Sequence, residues 1–199
     1  FYKFTWLKRK AAYFQPVFCT VCCCTYNQCN NIKENTSDKI YRHKVRKQMV
    51  EFMNKEIILP DGLECICDRE ITTFDKSTLK SSVFVMYCDS MECSSCRIAH
   101  MMDMYPLYDM ADTSEFSVLI IFSPRADEVD DVRLQLMTAG HQIPILVDTE
   151  GMFRSMNRHI PSDNRFHSFL LDGSNKPVFV GNPLASSQLS ELFRNCLEK

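Results

Sequence analysis

The sequence lacks the signatures of several common functional classes. Its formal net charge is only −2, so it has no basic excess of the kind that marks a nucleic-acid-binding surface. Glycine is scarce, with 5 residues in 199, and no glycine-rich loop for nucleotide phosphates is present. There is no convincing Ser-His-Asp order and no paired-carboxylate signature, and the acidic positions 127, 128, 130 and 131 indicate a solvated helix face. We therefore expect no nucleic-acid partner.

Cysteine, in contrast, is abundant, with 11 residues. The odd number prevents complete pairing within the chain. Five of the cysteines crowd into the N-terminal segment, at Cys19, Cys22, Cys23, Cys24 and Cys29. The folded part is therefore less rich in cysteine than the total implies. The hydrophobic fraction of 45% suffices for one core of ordinary size, and the length indicates one domain with additions.

The most informative stretch runs from Ser82 to Arg97 and reads SVFVMYCDSMECSSCR. Its first part, Val83 to Tyr87, is apolar without polar alternation, which is typical of a strand buried on both faces. Beyond Cys96, apolar residues recur at three- and four-residue spacing, which predicts a helix. The Cys-x-x-Cys pair, Cys93 and Cys96, therefore lies where a buried strand passes into a helix.

The position of this pair predicts thiol–disulfide exchange. Unpaired N–H groups at a helix start stabilise a thiolate and lower its pKa from about 8.5 towards roughly 3.5–7.5. We expect Cys93, at the helix tip, to be the exposed attacking thiol and Cys96, one turn inside, to be the buried resolving thiol. Arg97 adds positive charge at the same end. The alternative is a structural disulfide or a pair of inert thiols.

The surroundings of the pair, YCDSMECSSCR, resemble the thioredoxin-like family, in particular its bacterial envelope branch. In that branch a hydrophobic strand leads through a short loop into Cys-x-x-Cys followed by Arg or Lys. The resemblance extends from about Lys55 to the C-terminus. It implies a thiol–disulfide oxidoreductase of the cell envelope whose redox group is the Cys93–Cys96 disulfide, with no further cofactor and no metal. It also implies protein thiols or disulfides as substrates and an upstream electron donor or acceptor.

The order of apolar segments indicates an α/β fold. Strands are predicted at 56–59, 63–67, 83–87, 116–122, 143–147, 166–171 and 176–181. Helices are predicted from Asp38, after Cys96 with a kink or break at Pro106, after Ser123 as N-cap, at 151–157, and from Ser186 or Ser187. With the resemblance, this order implies a thioredoxin-like three-layer α/β/α sandwich with a central mixed sheet, plus an N-terminal helix and β-hairpin. The strand containing Val85 is expected at the centre of the sheet.

The predicted domain organisation has four parts. Residues 1–29 run from basic to apolar to polar, which is similar to a signal or lipoprotein leader; Cys29 would then carry a lipid and attach the protein to a membrane. A disordered tail or a cysteine-rich metal-binding segment is the alternative for this region. Residues 30–37 are predicted to be a linker, 38–80 the helix and hairpin extension, and 81–199 the thioredoxin-like domain.

Two features of the thioredoxin-like family are missing. The proline that usually precedes the late hairpin and packs against the cysteine pair has no equivalent in Asn164–Phe169, where His167 stands near its place. The usual acidic residue below the pair is replaced by Tyr87. An imidazole at His167 would hold a thiolate as an ion pair or carry its proton, with a structural histidine as the alternative. Cys88, five residues before Cys93, is either a second resolving thiol or a core thiol.

Two other functions are compatible with the sequence. The first is metal handling, because Cys93, Cys96, Met91 and His167 offer ligands that suit Cu(I) or Zn. The copper-delivering relatives, however, have three residues between their cysteines instead of two. The second is a non-catalytic binding module, which the missing proline favours. The Ser94–Ser95 dipeptide between the cysteines does not fix the direction of electron flow.

Overall fold

The computed structural model describes residues 36–198 of the chain, with side chains from residue 38 onward. The predicted leader at 1–29, its lipidation site Cys29 and nearly all of the predicted linker lie outside these residues. All of the described residues belong to one compact unit. Between residues 36 and 198, no helix is both long enough and apolar enough to span a bilayer.

A mixed sheet of seven strands forms the centre of the described unit. The strands are β1 (Glu64–Cys67), β2 (Glu70–Thr73), β3 (Ser82–Cys88), β4 (Phe116–Phe122), β5 (Ile145–Val147), β6 (Ser168–Leu171) and β7 (Pro177–Val180). Their spatial order is β2-β1-β5-β4-β3-β6-β7, with β3, β4 and β5 parallel and the other pairings antiparallel. Because β3 lies between β4 and β6, the prediction that the strand containing Val85 is central is confirmed.

Helices follow the strands in the predicted order. They are α1 (Thr36–Met53), α2 (Ser94–Ala99), α3 (Tyr105–Asp112), α4 (Val129–Ala139), α5 (Met152–Met156) and α6 (Ser187–Leu197), with short 3-10 turns at Lys76–Thr78, Met101–Met104 and Asn164–Phe166. The chain passes from β3 through α2 and α3 to β4, then through α4 to β5. It ends in the β6–β7 hairpin and α6. The α/β fold class with its thioredoxin-like order is therefore confirmed.

Side chains of β3 alternate between the two faces of the sheet and enter two separate layers of the core. On one face, Phe84 packs edge-on against Phe193 of α6 with ring centroids 5.6 Å apart, and α2, α3 and α4 cover the same side. On the other face, Tyr87 lies 5.0 Å from Phe153 of α5. Phe52 of α1 packs against β6 on that side. Burying each such side chain stabilises the fold by roughly 1.5–3 kcal/mol, which holds the three layers together.

The N-terminal hairpin lies later in the chain than the sequence predicts. The expected strands are 56–59 and 63–67, whereas the structure pairs β1 with β2 across the two-residue turn Asp68-Arg69. Both turn residues have positive φ, 45° and 65°, as a tight hairpin turn requires. An Asp-Arg turn carries no glycine signal, so the sequence pattern does not reveal it.

The segment 56–59 forms no strand, because the side chain of Asn157 forms hydrogen bonds with its backbone N–H and carbonyl groups. The Ile58 N–H donates to Asn157 Oδ1, and Asn157 Nδ2 donates to the Ile58 carbonyl, both at 2.8 Å. The Ile57 N–H donates to the carbonyl of Asn175 at 2.8 Å. Asn157 itself is fully buried. It therefore supplies the partners that a neighbouring strand would have given.

Two predicted helix boundaries also need correction. Ser123 is not an N-cap: its hydroxyl donates to Asp148 Oδ2 at 3.0 Å, and α4 starts only at Val129. The single helix expected after the cysteine pair is divided into α2 and α3. Pro106 lies in the first turn of α3, where its missing N–H costs nothing, so it begins a helix instead of kinking one.

Candidate redox site

Cys93 and Cys96 are joined in a disulfide at the first turn of α2, beyond the carboxyl end of β3. Their Cα atoms are 5.3 Å apart, which is ordinary for a disulfide. A turn at Asp89 leads into the pair: the Glu92 N–H donates to the Asp89 carbonyl, and the Met91 N–H donates to the Asp89 carboxylate, both at 2.9 Å. The predicted position of the pair at a strand-to-helix junction is confirmed.

Both cysteines of the pair are exposed to solvent. The expectation that Cys96 is buried is wrong, because Ser94 and Ile98, each 6% exposed, occupy the inward side of α2. Residues four apart share a helix face, and Cys96, midway between them, turns to the opposite side. What distinguishes the two sulfurs is hydrogen bonding: Cys93 is the N-cap of α2, and the Cys96 N–H donates to Cys93 Sγ at 3.3 Å.

Arg97, expected to add positive charge beside the pair, forms an ion pair with Glu92. Its Nε and Nη2 donate to Glu92 Oε2 at 3.0 and 2.5 Å. The Glu92 side chain is 12% exposed and that of Arg97 40%. The charge of Arg97 is thus balanced by the residue that immediately precedes Cys93.

His167 directly precedes β6, and it is only 2% exposed. Its Nδ1 is 2.9 Å from Glu92 Oε1, and its Nε2 is 3.0 Å from the carbonyl oxygen of Pro161. Its ring centroid is 5.2 Å from that of Tyr87, and its backbone carbonyl accepts the Tyr87 N–H at 2.8 Å. Both ring nitrogens are therefore directed at protein groups, and Glu92 links His167 to the loop that carries Cys93.

Glu92 is the functional candidate that sequence reasoning missed. Burial raises the pKa of Glu92, but the hydrogen bonds from His167 and Arg97 outweigh this effect and leave the pKa below its ordinary value. The carboxylate is therefore ionised at neutral pH. In the sequence, the position of Glu92 directly before Cys93 and five residues before Arg97 was the one sign of a role at the site. Its contact with His167 has no such sign, because the two residues are 75 positions apart.

Cys88 is a core thiol in this structure. It is 3% exposed and packs with the apolar cluster on the α2 side of the sheet. Burial, assisted by the negative charge of Glu92, raises the pKa of Cys88 to about 12. A thiol that is neither accessible nor ionised at neutral pH is poorly suited to resolve a mixed disulfide. The arrangement therefore favours the interpretation of Cys88 as a core thiol over a second resolving thiol.

A cavity of about 640 Å³ opens at the carboxyl ends of β3, β4 and β5, next to the loop that carries the pair. Its lining includes Tyr87, Ser90 and three arginines, Arg125, Arg154 and Arg158. Burial raises the pKa of Tyr87 to about 12, so its phenol keeps its proton at neutral pH. Because α/β proteins bind ligands at the carboxyl ends of their strands, this cavity is a candidate contact surface for a substrate.

Within residues 36–198, no three His, Cys, Asp or Glu side chains are arranged to hold a metal ion. The residues considered for copper are not assembled around one point: Met91 is 90% exposed, whereas His167 is buried with both nitrogens engaged. The described residues therefore offer no direct support for the metal-handling alternative.

No protein-family profile matches the chain, and no curated protein matches its sequence. Among solved structures, the chain is similar to a thioredoxin-like protein from Bacteroides caccae, with 9% identity and a TM-score of 0.44 over 81% of this chain. The chain spans 57% of the length of that protein. It is also similar to the bacterioferritin comigratory protein of Xanthomonas campestris, studied for alkyl peroxide reduction, with 14% identity and a TM-score of 0.40. That match covers 70% of this chain and 98% of the other.

A third similar structure is an uncharacterized conserved protein from Geobacillus kaustophilus, with 12% identity, a TM-score of 0.34, and coverage of 67% of this chain and 72% of that one. Likenesses this distant carry no information about activity or substrate. They also do not single out the bacterial envelope branch.

Proposed function

We propose that this protein is a thiol–disulfide oxidoreductase with Cys93 and Cys96 as its redox pair. The observation that carries the proposal is an exposed disulfide at the first turn of α2, in which Cys93 Sγ accepts the Cys96 N–H. After reduction, the same N–H would stabilise a thiolate on Cys93 and favour its ionised form. Cys93 is therefore the proposed attacking thiol and Cys96 the resolving thiol.

The proposed exchange proceeds in two balanced steps. The Cys93 thiolate attacks one sulfur of a substrate disulfide, the substrate S–S bond breaks, and one substrate sulfur leaves as a thiolate while the other stays bound to Cys93. Cys96 then loses its proton and attacks Cys93 Sγ, which releases the second substrate sulfur as a thiolate. Two electrons pass to the substrate and the Cys93–Cys96 disulfide forms. The reverse sequence oxidises a substrate dithiol.

We also propose protein thiols and disulfides as substrates, a separate electron donor or acceptor, and a location in the bacterial cell envelope. The support is the sequence resemblance around the pair and the basic, apolar, polar order of residues 1–29. Membrane attachment through a lipid on Cys29 belongs to the same proposal. Incorporation of labelled fatty acid by the full chain in a bacterial host, lost in Cys29→Ser, would support it. Equal labelling of the two proteins would contradict it.

Trapping of a mixed disulfide tests the redox function. Cys96→Ser leaves the attacking thiol but removes the resolving one, so we expect it to accumulate covalent adducts with a reduction-sensitive, disulfide-bonded model protein. The adducts are read by non-reducing electrophoresis and disappear after treatment with a reductant.

Cys93→Ser is the matched control, because it makes the same chemical change at the other exposed cysteine of the same disulfide. It should abolish exchange without trapping an adduct. Adducts of Cys93→Ser but not of Cys96→Ser would reverse the two roles. If neither variant forms adducts and the parent protein shows no exchange, the oxidoreductase proposal is wrong and a non-catalytic binding module is the better interpretation.

A further inference from the structure

His167 is a buried titratable residue beside the active-site loop whose role the exchange mechanism does not explain. Its two ring nitrogens face two oxygen atoms: Nδ1 lies 2.9 Å from Glu92 Oε1, and Nε2 lies 3.0 Å from the Pro161 carbonyl. Both distances are those of ordinary hydrogen bonds. The ring is 2% exposed, so water does not compete for either contact.

The identity of the two oxygens fixes where the protons must be. A backbone carbonyl only accepts, so Nε2 must carry a proton. Arg97 donates twice to Glu92 Oε2, which holds Glu92 in its ionised form, and a carboxylate also only accepts. Nδ1 must therefore carry a proton as well. An imidazole protonated on both nitrogens is an imidazolium cation.

The other charged and titratable groups around the ring fit this assignment. Tyr87 of β3, in ring contact with His167, is an uncharged phenol because burial raises its pKa. Asp163, at the start of the 3-10 turn before β6, is ion-paired with Arg165, whose side-chain hydrogen bonds hold the pKa of Asp163 below its ordinary value. Arg154 of α5 donates to the carbonyl of Ile160 at 2.7 Å. The group that directly meets the ring is thus an anion.

We propose that His167 is a positioning residue that holds the Glu92 carboxylate as an imidazolium ion and so sets the charge next to Cys93. The effect on Cys93 rests on the proposed redox function; the imidazolium does not. With His167 and Arg97 both cationic, the carboxylate beside Cys93 is balanced from two sides. Without the proton on Nδ1, a nitrogen lone pair of His167 would face the Glu92 carboxylate. The negative charge of Glu92 would then disfavour a thiolate on the neighbouring residue, Cys93.

The protonation state is tested directly on the full chain by ¹⁵N NMR of the histidine rings, assigned with His167→Gln. We expect both ring nitrogens of His167 to be protonated at pH 7, and Glu92→Gln to convert the ring to a neutral tautomer at the same pH. A neutral His167 in the parent protein at pH 7 would overturn the proposal.

The effect on Cys93 is tested by the pH profile of its alkylation with iodoacetamide in the Cys96→Ser background. We expect His167→Gln to raise the midpoint pH by about half a unit or more, which is about threefold in rate below the midpoint. Adding Glu92→Gln should bring the midpoint back to near its parental value, because the double variant keeps the positive charge of Arg97 without the carboxylate that neutralises it.

A purely structural role gives a different pattern: the second substitution would not restore the first. A midpoint that His167→Gln leaves unchanged, or that the double variant shifts further upward, would overturn the positioning role. The NMR result does not depend on exchange activity. A doubly protonated His167 together with a Cys96→Ser protein that traps no adduct would therefore refute the redox function and leave the imidazolium assignment intact.

Discussion

Among single residues, Glu92 connects more of the candidate site than either cysteine does. It accepts from Arg97 on α2 and meets His167 before β6, while its own backbone leads directly into Cys93. Removing one partner of such a half-buried charged group leaves the others unbalanced, so a change at any of the three should affect all of them. The site is in this sense a charge network around an exposed disulfide.

The acid stability of the protein should report on Glu92. Because its pKa is lower in the folded state, its carboxylate stabilises the protein above the ordinary glutamate pKa of about 4.3. That contribution disappears as the pH falls through the lower folded value. We expect the parent to exceed Glu92→Gln in free energy of unfolding at pH 7, with the difference shrinking below about pH 4.3. Urea unfolding across pH measures it, with exposed Glu191→Gln as control; a difference that does not change with pH would contradict the prediction.

Cys88 should be protected from alkylation in the folded protein. With its pKa raised to about 12, the thiolate fraction at pH 8 is on the order of a thousandfold below that of an ordinary cysteine. In reduced, native protein we expect iodoacetamide to modify Cys93 rapidly and to leave Cys88 unmodified, as read by peptide mass spectrometry. In urea the two should react at similar rates. Rapid native modification of Cys88 would return it to the candidates for a resolving thiol.

At the scale of elements, α2 is a short helix with two different sides. Ser94 and Ile98 fix the helix to the core, and this fixation turns Cys96 outward. Both sulfurs therefore remain open to a protein substrate, although only Cys93 receives a backbone N–H. The proposed assignment of Cys93 as the attacking thiol and Cys96 as the resolving thiol therefore rests on this hydrogen bond and not on accessibility.

In the segment 56–59, the hydrogen bonds of one side chain take the place of those from a neighbouring strand, and this can be tested. Asn157 makes hydrogen bonds with the N–H and carbonyl of Ile58 and with the carbonyl of Phe153, each at 2.8 Å. Asn157→Leu preserves volume but leaves the part-buried N–H and carbonyl of Ile58 without their side-chain partner, so we expect a loss of roughly 2–4 kcal/mol in the free energy of unfolding. The Phe153 carbonyl keeps the backbone N–H of residue 157. Urea unfolding gives the magnitude, and hydrogen exchange should show that the Ile58 amide has lost protection.

Asn195→Leu on the exposed side of α6 is the matched control, because the chemical change is the same at a solvent-facing position. It should change the free energy of unfolding by no more than about 0.5 kcal/mol. Similar losses for the two variants would mean that the contacts of Asn157 are not what holds the segment.

On the scale of the whole molecule, the sequence predicts features that depend on local pattern and misses those that depend on distant contacts. The strands at 83–87 and 116–122 were predictable because continuous apolar runs are sufficient evidence for buried strands. The strand predicted at 56–59 failed because its partner, Asn157, is 99 residues away. The pair of cysteines was found from spacing and context, whereas the contact of Glu92 with His167 required the fold that places β6 beside β3.

The architecture predicts that a redox cycle leaves the sheet unchanged. β3 is hydrogen-bonded on both sides and its six residues after Ser82 are buried, whereas the pair lies on α2, a helix of six residues whose N-cap is Cys93 itself. Reducing the disulfide removes a constraint only from that first turn. We expect hydrogen exchange in the reduced protein to increase for peptides covering residues 89–99 and to stay the same for β3 and β4.

The edge strand β2 provides an internal reference for that measurement. All four of its residues are exposed and it pairs only with β1, so its amides should exchange faster than those of β3 in both redox states. Mass spectrometry of matched oxidised and reduced samples compares the three regions directly. If reduction instead accelerates exchange throughout β3 and β4, the disulfide is a structural brace for the central sheet, because a redox pair that cycles must leave its scaffold folded in both states.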